Sequence, residues 1–227
     1  MSISPAVEVE RKVFSRRETD LWYRFLRAWA GSFARLYHGQ SAISPCRLPR
    51  TGPAILVSNH ISSVDPLLLQ AFCPRLIRWM MAKEYFDFKP LRWLFDTVGV
   101  ILVERSGRDM AATRAAIRAL EAGYVLGVFP EGKIESTNDL IPFQNGIGLL
   151  AMKTRAAVFP AYIEGTRRNR EMVEAFLRPS SGSIVFGPGL ELGDLDDSRA
   201  GIEEATRRIQ GAVEGLKNAT GTNRGIR

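Results

Sequence analysis

The sequence predicts an α/β fold, with a mostly parallel (mixed) central sheet of about six or seven strands flanked by helices and preceded by an amphipathic helix. Two observations support this fold class. From residue 54 onward, short apolar segments of strand length alternate with segments of helical period. The 227 residues, 45% of them hydrophobic, can form one domain with a full core. We therefore expect a single domain over 1–227 with its central part at 50–190.

An amphipathic helix is predicted over 18–38, after a polar and loose N-terminus at 1–17. Trp22, Phe25, Trp29 and Phe33 recur there at helical spacing, with arginines among them. This helix could pack its aromatic stripe on the domain, or it could lie in a membrane interface. The sequence leaves both alternatives open.

The alternating elements follow from local signals. Asp109 is expected to cap a helix over 109–122, and Gly123 suits the position after its end. Further helices are predicted over 145–154 and 198–217, followed by a tail at 218–227. Candidate strands are 54–58, 77–82, 99–104, 124–129, 157–163 and 183–187.

Composition limits the classes of partner. The 31 basic residues exceed the 24 acidic ones, and the resulting charge of +7 favours phosphate groups or an acidic membrane face. We expect no nucleic-acid partner because the basic residues are scattered and accompany no recognition motif. The two cysteines predict no disulfide framework. No ligand cluster has metal-binding spacing, so no metal is expected. No run reaches the roughly 18 apolar residues of a membrane span.

His60 and Asp65 are the candidate catalytic pair. Side chains five apart in one helix point about 140° away from each other, so these two can meet only across a turn. We expect that turn between strand 54–58 and a helix with Asp65 at N-cap and Pro66 at N1. The carboxylate could then orient the imidazole for proton transfer. It could equally be a helix cap beside a turn histidine, and the spacing alone does not decide.

Other charged residues follow neighbouring strands, where sites form in parallel sheets. Arg105 lies on the loop after 99–104. Glu131, Gly132 and Lys133 form a sharp turn after 124–129. Pro160 stands inside strand 157–163, which requires an edge, a bulge or a site.

These motifs, in this order, resemble those of the glycerolipid acyltransferase family, which includes the 1-acylglycerol-3-phosphate acyltransferases. The resemblance covers roughly residues 55–165 and would be weak for any one block alone. Its four blocks are Asn59-His60 to Asp65, Gly99 to Arg105, Phe129-Pro130-Glu131-Gly132, and Val158-Phe159-Pro160.

The resemblance implies a mechanism. His60, oriented by Asp65, would remove a proton from an acceptor hydroxyl, and the alkoxide would attack the thioester of acyl-CoA or acyl-carrier protein. A neutral imidazole suits this role because its reference pKa is about 6.5. No cofactor is implied beyond that acyl co-substrate.

The resemblance also implies a substrate-binding set. Arg105 and the turn at Glu131 and Gly132 match positions that bind the glycerol phosphate of the acceptor. The Glu131 carboxylate cannot contact a phosphate favourably, so we expect it to hold Arg105, a hydroxyl or the turn itself. Pro160 is expected to shape the site without touching the chemistry. With Asn59 and Lys133, these residues complete the predicted substrate-binding set.

The expected acceptor is a lysophospholipid, 1-acylglycerol 3-phosphate first, which would place the protein in the cytoplasm, peripheral on the inner face of the membrane. One departure puts the acceptor in doubt. Lys133-Ile134-Glu135 stands where the family usually has a small or hydroxyl residue, arginine and serine. Glycerol 3-phosphate, another lysolipid or an alcohol without phosphate remain alternatives, as does a non-catalytic lipid-binding protein.

Overall fold

The computed structural model describes residues 21–86, 89–104, 109–134, 140–167 and 172–222. Within these ranges, seven strands form one sheet. They are β1 Gln40–Ala42, β2 Ala54–Ser58, β3 Ile77–Ala82, β4 Ile101–Val103, β5 Val125–Val128, β6 Ala157–Glu164 and β7 Gly182–Phe186.

The sheet has the order β1-β7-β6-β2-β5-β3-β4. All neighbouring strands are parallel except β6 and β7, which are antiparallel. Helices flank the sheet: α1 Leu21–Ser32, α2 Asp65–Phe72, α3 Lys83–Phe86, α4 Lys89–Val98, α5 Met110–Glu121, α6 Gly146–Thr154, α7 Met172–Leu177 and α8 Arg199–Thr222. A π-helical turn, Phe33–Tyr37, continues α1. The predicted fold class is confirmed.

β2 lies at the centre of the sheet and is buried along its whole length. Its alternate side chains enter two separate cores. Ile55 and Val57 pack in a cluster that includes Ile209 of α8, whereas Leu56 packs in a cluster that includes Leu68 of α2. Helices therefore cover both faces of β2, which explains why its sequence is a continuous apolar run.

Local end signals identified α5 correctly. The Asp109 carboxylate accepts a hydrogen bond from the Ala112 N–H at 2.9 Å, as an N-cap does. Gly123 has a φ of +86°, the left-handed conformation expected just past a helix end.

Several boundaries were wrong. The strand predicted at 99–104 is shorter, since Gly99 has a φ of +66°, and the short edge strand β1 was missed. Val64, not Asp65, is the N-cap of α2, and Asp65 is its first residue. The last helix continues to Thr222, so the tail predicted from 218 begins too early. The α-helix predicted over 18–38 ends at Ser32, and 18–20 lie outside the described residues.

α1 has one packed face and one exposed face. Ala30, and Ala34 in the π-helical turn, are buried on the side that meets α2. Leu21, Phe25 and Trp29 are exposed, at 79%, 58% and 46%. α1 and its π-helical turn thus pack through alanines and the half-buried Phe33, whereas Phe25 and Trp29 of the predicted aromatic stripe remain exposed. None of the helices in the described ranges is long and apolar enough to cross a bilayer.

The two cysteines meet at the C-terminal end of α2. Cys46 Sγ lies 3.2 Å from Cys73 Sγ, and both are free thiols. Burial raises the pKa of Cys73 well above its usual value, so this thiol is held protonated. Cys73 therefore donates its S–H to Cys46 Sγ, and this hydrogen bond lowers the pKa of Cys46.

Candidate active site

Three adjacent parallel strands, β6, β2 and β5, end at one edge of the sheet and supply the site. His60 follows the end of β2 by two residues, and Thr166 follows the end of β6 by two. Phe129 and Glu131 come directly after β5. Residues far apart in sequence are therefore brought together because the carboxyl ends of parallel strands share an edge.

Asp65 holds His60 across the predicted turn. His60 Nδ1 lies 3.1 Å from Asp65 Oδ2, and the same oxygen accepts the backbone N–H groups of Ile61 and Ser62, both at 2.8 Å. Asp65 Oδ1 accepts the Thr166 hydroxyl at 3.1 Å. Because donors surround the carboxylate, Nδ1 is the proton donor of the ring, and Nε2 carries the free lone pair. Asp65 therefore acts on the loop before α2, and the interpretation as a simple helix cap is wrong.

The ring and the backbone of His60 are both fixed. Its imidazole stacks on Phe129 with centroids 4.0 Å apart and planes 15° apart, and Phe129 stacks on Trp79 at 4.8 Å. Its N–H donates to Glu131 Oε1 at 3.0 Å, and Glu131 is buried. The side chain of His60 keeps 16% exposure. The imidazole is thus held in place while part of its side chain remains exposed at the cavity.

Asn59 ties the same loop to β6. Its amide nitrogen donates to the Ile163 carbonyl at 2.9 Å, and its amide oxygen accepts the Ile163 N–H at 2.8 Å. Asn59 is buried, and both ends of its amide are engaged in this pair. The side chain therefore fixes the position of the loop, and the substrate contact predicted for it stays a prediction.

The turn after β5 places Gly132, Lys133 and Ile134 beside His60 along one cavity. Gly132 has a φ of +72°, which an L side chain rarely adopts, so glycine is required there. Lys133 is exposed, whereas Ile134 is buried in the cavity wall. Arg105, which was predicted to bind phosphate, lies outside the described residues.

The cavity has a volume of about 1020 Å³, at the upper end of the range for ligand pockets. His60 stands in its wall, and most of the remaining wall is apolar. Lining side chains from β3 to α4 are Trp79, Met80, Met81, Tyr85, Leu91, Leu94, Phe95 and Val98. A long apolar group could therefore lie in the cavity with one end at His60.

A sequence model of the Acyltransferase family matches residues 43–164, more than half of the chain. This chain belongs to the Acyltransferase family. The matched range contains β2, β5 and β6 and includes His60, Asp65 and Glu131. Thr166 lies two residues beyond its end.

Individual relatives agree with this assignment. The chain is 32% identical over 150 residues to a 1-acyl-sn-glycerol-3-phosphate acyltransferase of Borreliella burgdorferi, covering 64% of this chain and 55% of that protein. It is 22% identical over 174 residues to one of Bacillus subtilis, covering 75% of this chain and 84% of that protein. The match thus spans little more than half the length of the first relative.

A solved structure has the same fold. The crystal structure of the 1-acyl-sn-glycerophosphate acyltransferase of Thermotoga maritima superimposes with a TM-score of 0.65 at 20% identity. The superposition covers 90% of this chain and 87% of the other chain. The α/β architecture of this Acyltransferase family member is therefore shared along almost its whole length.

Pro160 of this family member lies in β6 beside Val57 of β2. Ala161 pairs with Phe186, but Val158 bridges Leu190, so the strand opposite carries one extra residue beside Pro160. The proline therefore faces a bulge, one of the three environments expected for it, and Gly187 donates its N–H to the Pro160 carbonyl. A substrate contact for Pro160 stays a prediction.

Sequence reasoning missed three contributors to the site. Thr166 was not predicted to belong to the site, although it stands just past a strand end. Phe129 was included only as part of a motif, and Trp79 only as part of the candidate strand 77–82. The position of Thr166 after β6 is the one signal that could have identified it.

Proposed function

We propose that this protein is an O-acyltransferase that moves a fatty acyl group from an acyl thioester to the hydroxyl of a lysophospholipid. The preferred acceptor is 1-acylglycerol 3-phosphate, which would give phosphatidic acid. This is the activity after which its relatives are named. The observation that carries the proposal is the His60–Asp65 pair, which opens onto a large apolar cavity.

The geometry supports a direct transfer. Nε2 of His60 takes the proton of the acceptor hydroxyl, and the resulting alkoxide forms a bond to the thioester carbonyl carbon. The tetrahedral intermediate then collapses, the carbon–sulfur bond breaks, and the leaving thiolate takes the proton back from the imidazolium. Asp65 stabilises the imidazolium between these steps because its carboxylate bonds Nδ1.

The cavity supplies a place for the acyl chain. Its apolar wall runs from Trp79 beside His60 to Val98 at the end of α4. Burial of a methylene group is worth about 0.8 kcal/mol, so even part of a fatty acyl chain would bind strongly here. The reacting carbonyl would then lie at the polar end of the cavity, beside His60.

The charge of the acceptor would be recognised at the turn after β5. Lys133 lines the cavity close to the His60 motif and carries a positive charge that suits a phosphate. Arg105 belongs to the same proposal on the basis of its motif alone.

The deciding experiment is an acyl-transfer assay on the purified protein. 1-Acylglycerol 3-phosphate and acyl-CoA or acyl-carrier protein are incubated with the wild-type protein and with His60→Ala, and the lipid products are identified by mass spectrometry. We expect phosphatidic acid from the wild type and almost none from the variant. Thiol release with no lipid product would contradict the proposal and indicate hydrolysis of the thioester. No turnover of either donor would contradict it and favour a lipid-binding protein.

A second acceptor class is favoured by Ile134. This residue is buried and uncharged in the cavity wall, where the family pattern has an arginine. An acceptor without phosphate, such as a monoacylglycerol, is therefore the competing proposal. Lys133→Met separates the two: it should raise KM for 1-acylglycerol 3-phosphate about tenfold and leave KM for monoacylglycerol unchanged. A higher kcat/KM of the wild type for monoacylglycerol than for 1-acylglycerol 3-phosphate would favour the second class.

We also propose that the exposed aromatic face of α1, formed by Leu21, Phe25 and Trp29, lies in the interface of an anionic membrane on its cytoplasmic side. These side chains are spaced four apart and are all exposed, and Arg24 and Arg27 are exposed beside them. An aromatic face with flanking cations is the composition that such interfaces favour.

Co-sedimentation with vesicles that contain anionic lipid tests this surface. Phe25→Glu with Trp29→Glu should lower the bound fraction at least about tenfold, because each buried aromatic contributes roughly 1.5–3 kcal/mol. Ile43→Glu, at another exposed apolar side chain, is the matched control and should bind as the wild type does. Equal binding of all three proteins would exclude α1 as the contact.

A further inference from the structure

Asp65 presents its two oxygens to different groups. Oδ2 meets His60 Nδ1 and two backbone N–H groups, whereas Oδ1 receives the hydroxyl of Thr166 at 3.1 Å. Asp65 is completely buried and Thr166 is 6% exposed, so water has little access to Oδ1. A buried carboxylate oxygen that loses its donor is costly, which makes this single hydroxyl important to the orientation of the group.

The backbone that carries Thr166 is fixed against β7. Gly165 has a φ of +81°, and a Cβ there would collide with the Ser181 carbonyl and the Gly182 Cα. Ser183 Oγ donates to Glu164 Oε1 at 3.1 Å on the same pair of strands. The sheet therefore fixes the position of the Thr166 hydroxyl. This hydroxyl reaches Asp65 although the two residues are 101 positions apart in the sequence.

We propose that Thr166 is a positioning residue for the reaction: its hydroxyl stops the Asp65 carboxylate from rotating, so that Oδ2 stays on His60 Nδ1. This inference rests on the proposed function for its kinetic consequences. Without the hydroxyl, Oδ1 turns toward the donors that now serve Oδ2, and the imidazole loses its orienting partner. Thr166 acts only through Asp65 and does not touch the substrate.

Two substitutions isolate the hydroxyl. Thr166→Val keeps the shape of the side chain, and it should lower kcat about 10- to 100-fold while KM for donor and acceptor stays within about twofold. Thr166→Ser restores the donor and should recover kcat to within about threefold of the wild type. Thr206→Val is the matched control, since Thr206 is equally buried but donates to the Ile202 carbonyl within α8. It should leave kcat unchanged.

A double-mutant cycle tests the route through Asp65. In an Asp65→Ala background, Thr166→Val should cost less than about twofold because the carboxylate that it orients is gone. An equal loss in both backgrounds, or a rise in KM in place of the fall in kcat, would overturn the proposal.

A spectroscopic measurement decides the same question without any substrate. The chain has two histidines, so ¹⁵N spectra of histidine-labelled protein at pH 8 contain two rings, with His38 as the internal reference. We expect His60 to be protonated at Nδ1 in the wild type and to shift toward a mixture of tautomers in Thr166→Val, while His38 and the Thr206→Val spectrum stay unchanged. Unchanged His60 shifts in Thr166→Val would overturn the positioning role. If the wild type transfers no acyl group at all, the proposed function fails, and this spectrum still decides the role of Thr166.

Discussion

The two histidines of the chain are both packed on phenylalanine rings, but their surroundings give them opposite properties. His60 stacks face to face on Phe129, bonds the carboxylate of Asp65 and opens onto the cavity. His38 meets Phe33 edge-on at 4.6 Å, bonds the Ser180 hydroxyl at 2.8 Å and is completely buried.

The difference explains why His60, and not His38, is the proposed base. Burial lowers the pKa of His38, and a hydrogen bond with the backbone of Phe176 opposes that shift only in part. His38 is thus held neutral and has no route to a substrate. His60 has the Asp65 carboxylate beside Nδ1 and lines the cavity. The Asp65 carboxylate and the access to the cavity, and not the aromatic packing, distinguish His60 from His38.

Replacing the rings themselves should give the largest contrast. His60→Ala removes the proposed base and should lower kcat/KM about 10²- to 10⁴-fold, the range for one general acid–base group. His38→Gln should change kcat/KM by less than about threefold, since its ring lies outside the cavity. Both are measured by release of the free thiol, at a temperature well below the melting point of each variant. A kcat/KM of His60→Ala within tenfold of the wild-type value would contradict the proposed difference between His60 and His38.

The contrast between the histidines was only partly readable from the sequence. The turn between a buried strand and Asp65-Pro66 allowed His60 and Asp65 to be paired, because that signal is local. The choice between orienting group and helix cap needed Ile61, Ser62 and Thr166 in place, and Thr166 comes from another strand.

In the fold, too, elements with local signals were predicted and elements that depend on distant residues were missed. α5 was predicted from Asp109 and Gly123 because caps are local features. β1 was missed because its three residues, Gln40–Ala42, pair with β7 some 142 residues away. Helices α3 and α4 were hidden in an apolar segment whose aromatic side chains obscure any single period.

Changing the partner of each ring should give a smaller contrast. Asp65→Asn can keep its oxygen on His60 and turn its amide nitrogen toward Thr166. It therefore removes the negative charge while it keeps the hydrogen-bond geometry. We expect a loss of about 10²-fold in kcat, and a larger loss for Asp65→Ala, which removes both. Ser180→Ala should change kcat by less than about twofold and lower the free energy of unfolding by about 1 kcal/mol. Full activity of Asp65→Asn would show that charge on the partner is unimportant.

The smallest effect expected is a pH dependence of stability that belongs to His38 alone. Because its pKa is lower in the folded protein than the ordinary 6.5, the unfolded chain binds more protons once the pH falls toward 6.5 and below. The free energy of unfolding should therefore fall as the pH decreases from about 7.5 to 5.5, by at most about 1.4 kcal/mol per pH unit for one proton. Urea unfolding of the wild type and His38→Gln across this range measures the difference, in which His60 and the carboxylates cancel. Parallel curves for the two proteins would mean that His38 is protonated as easily in the fold as outside it. The proposed contrast with His60 would then rest on the Asp65 carboxylate and the cavity alone.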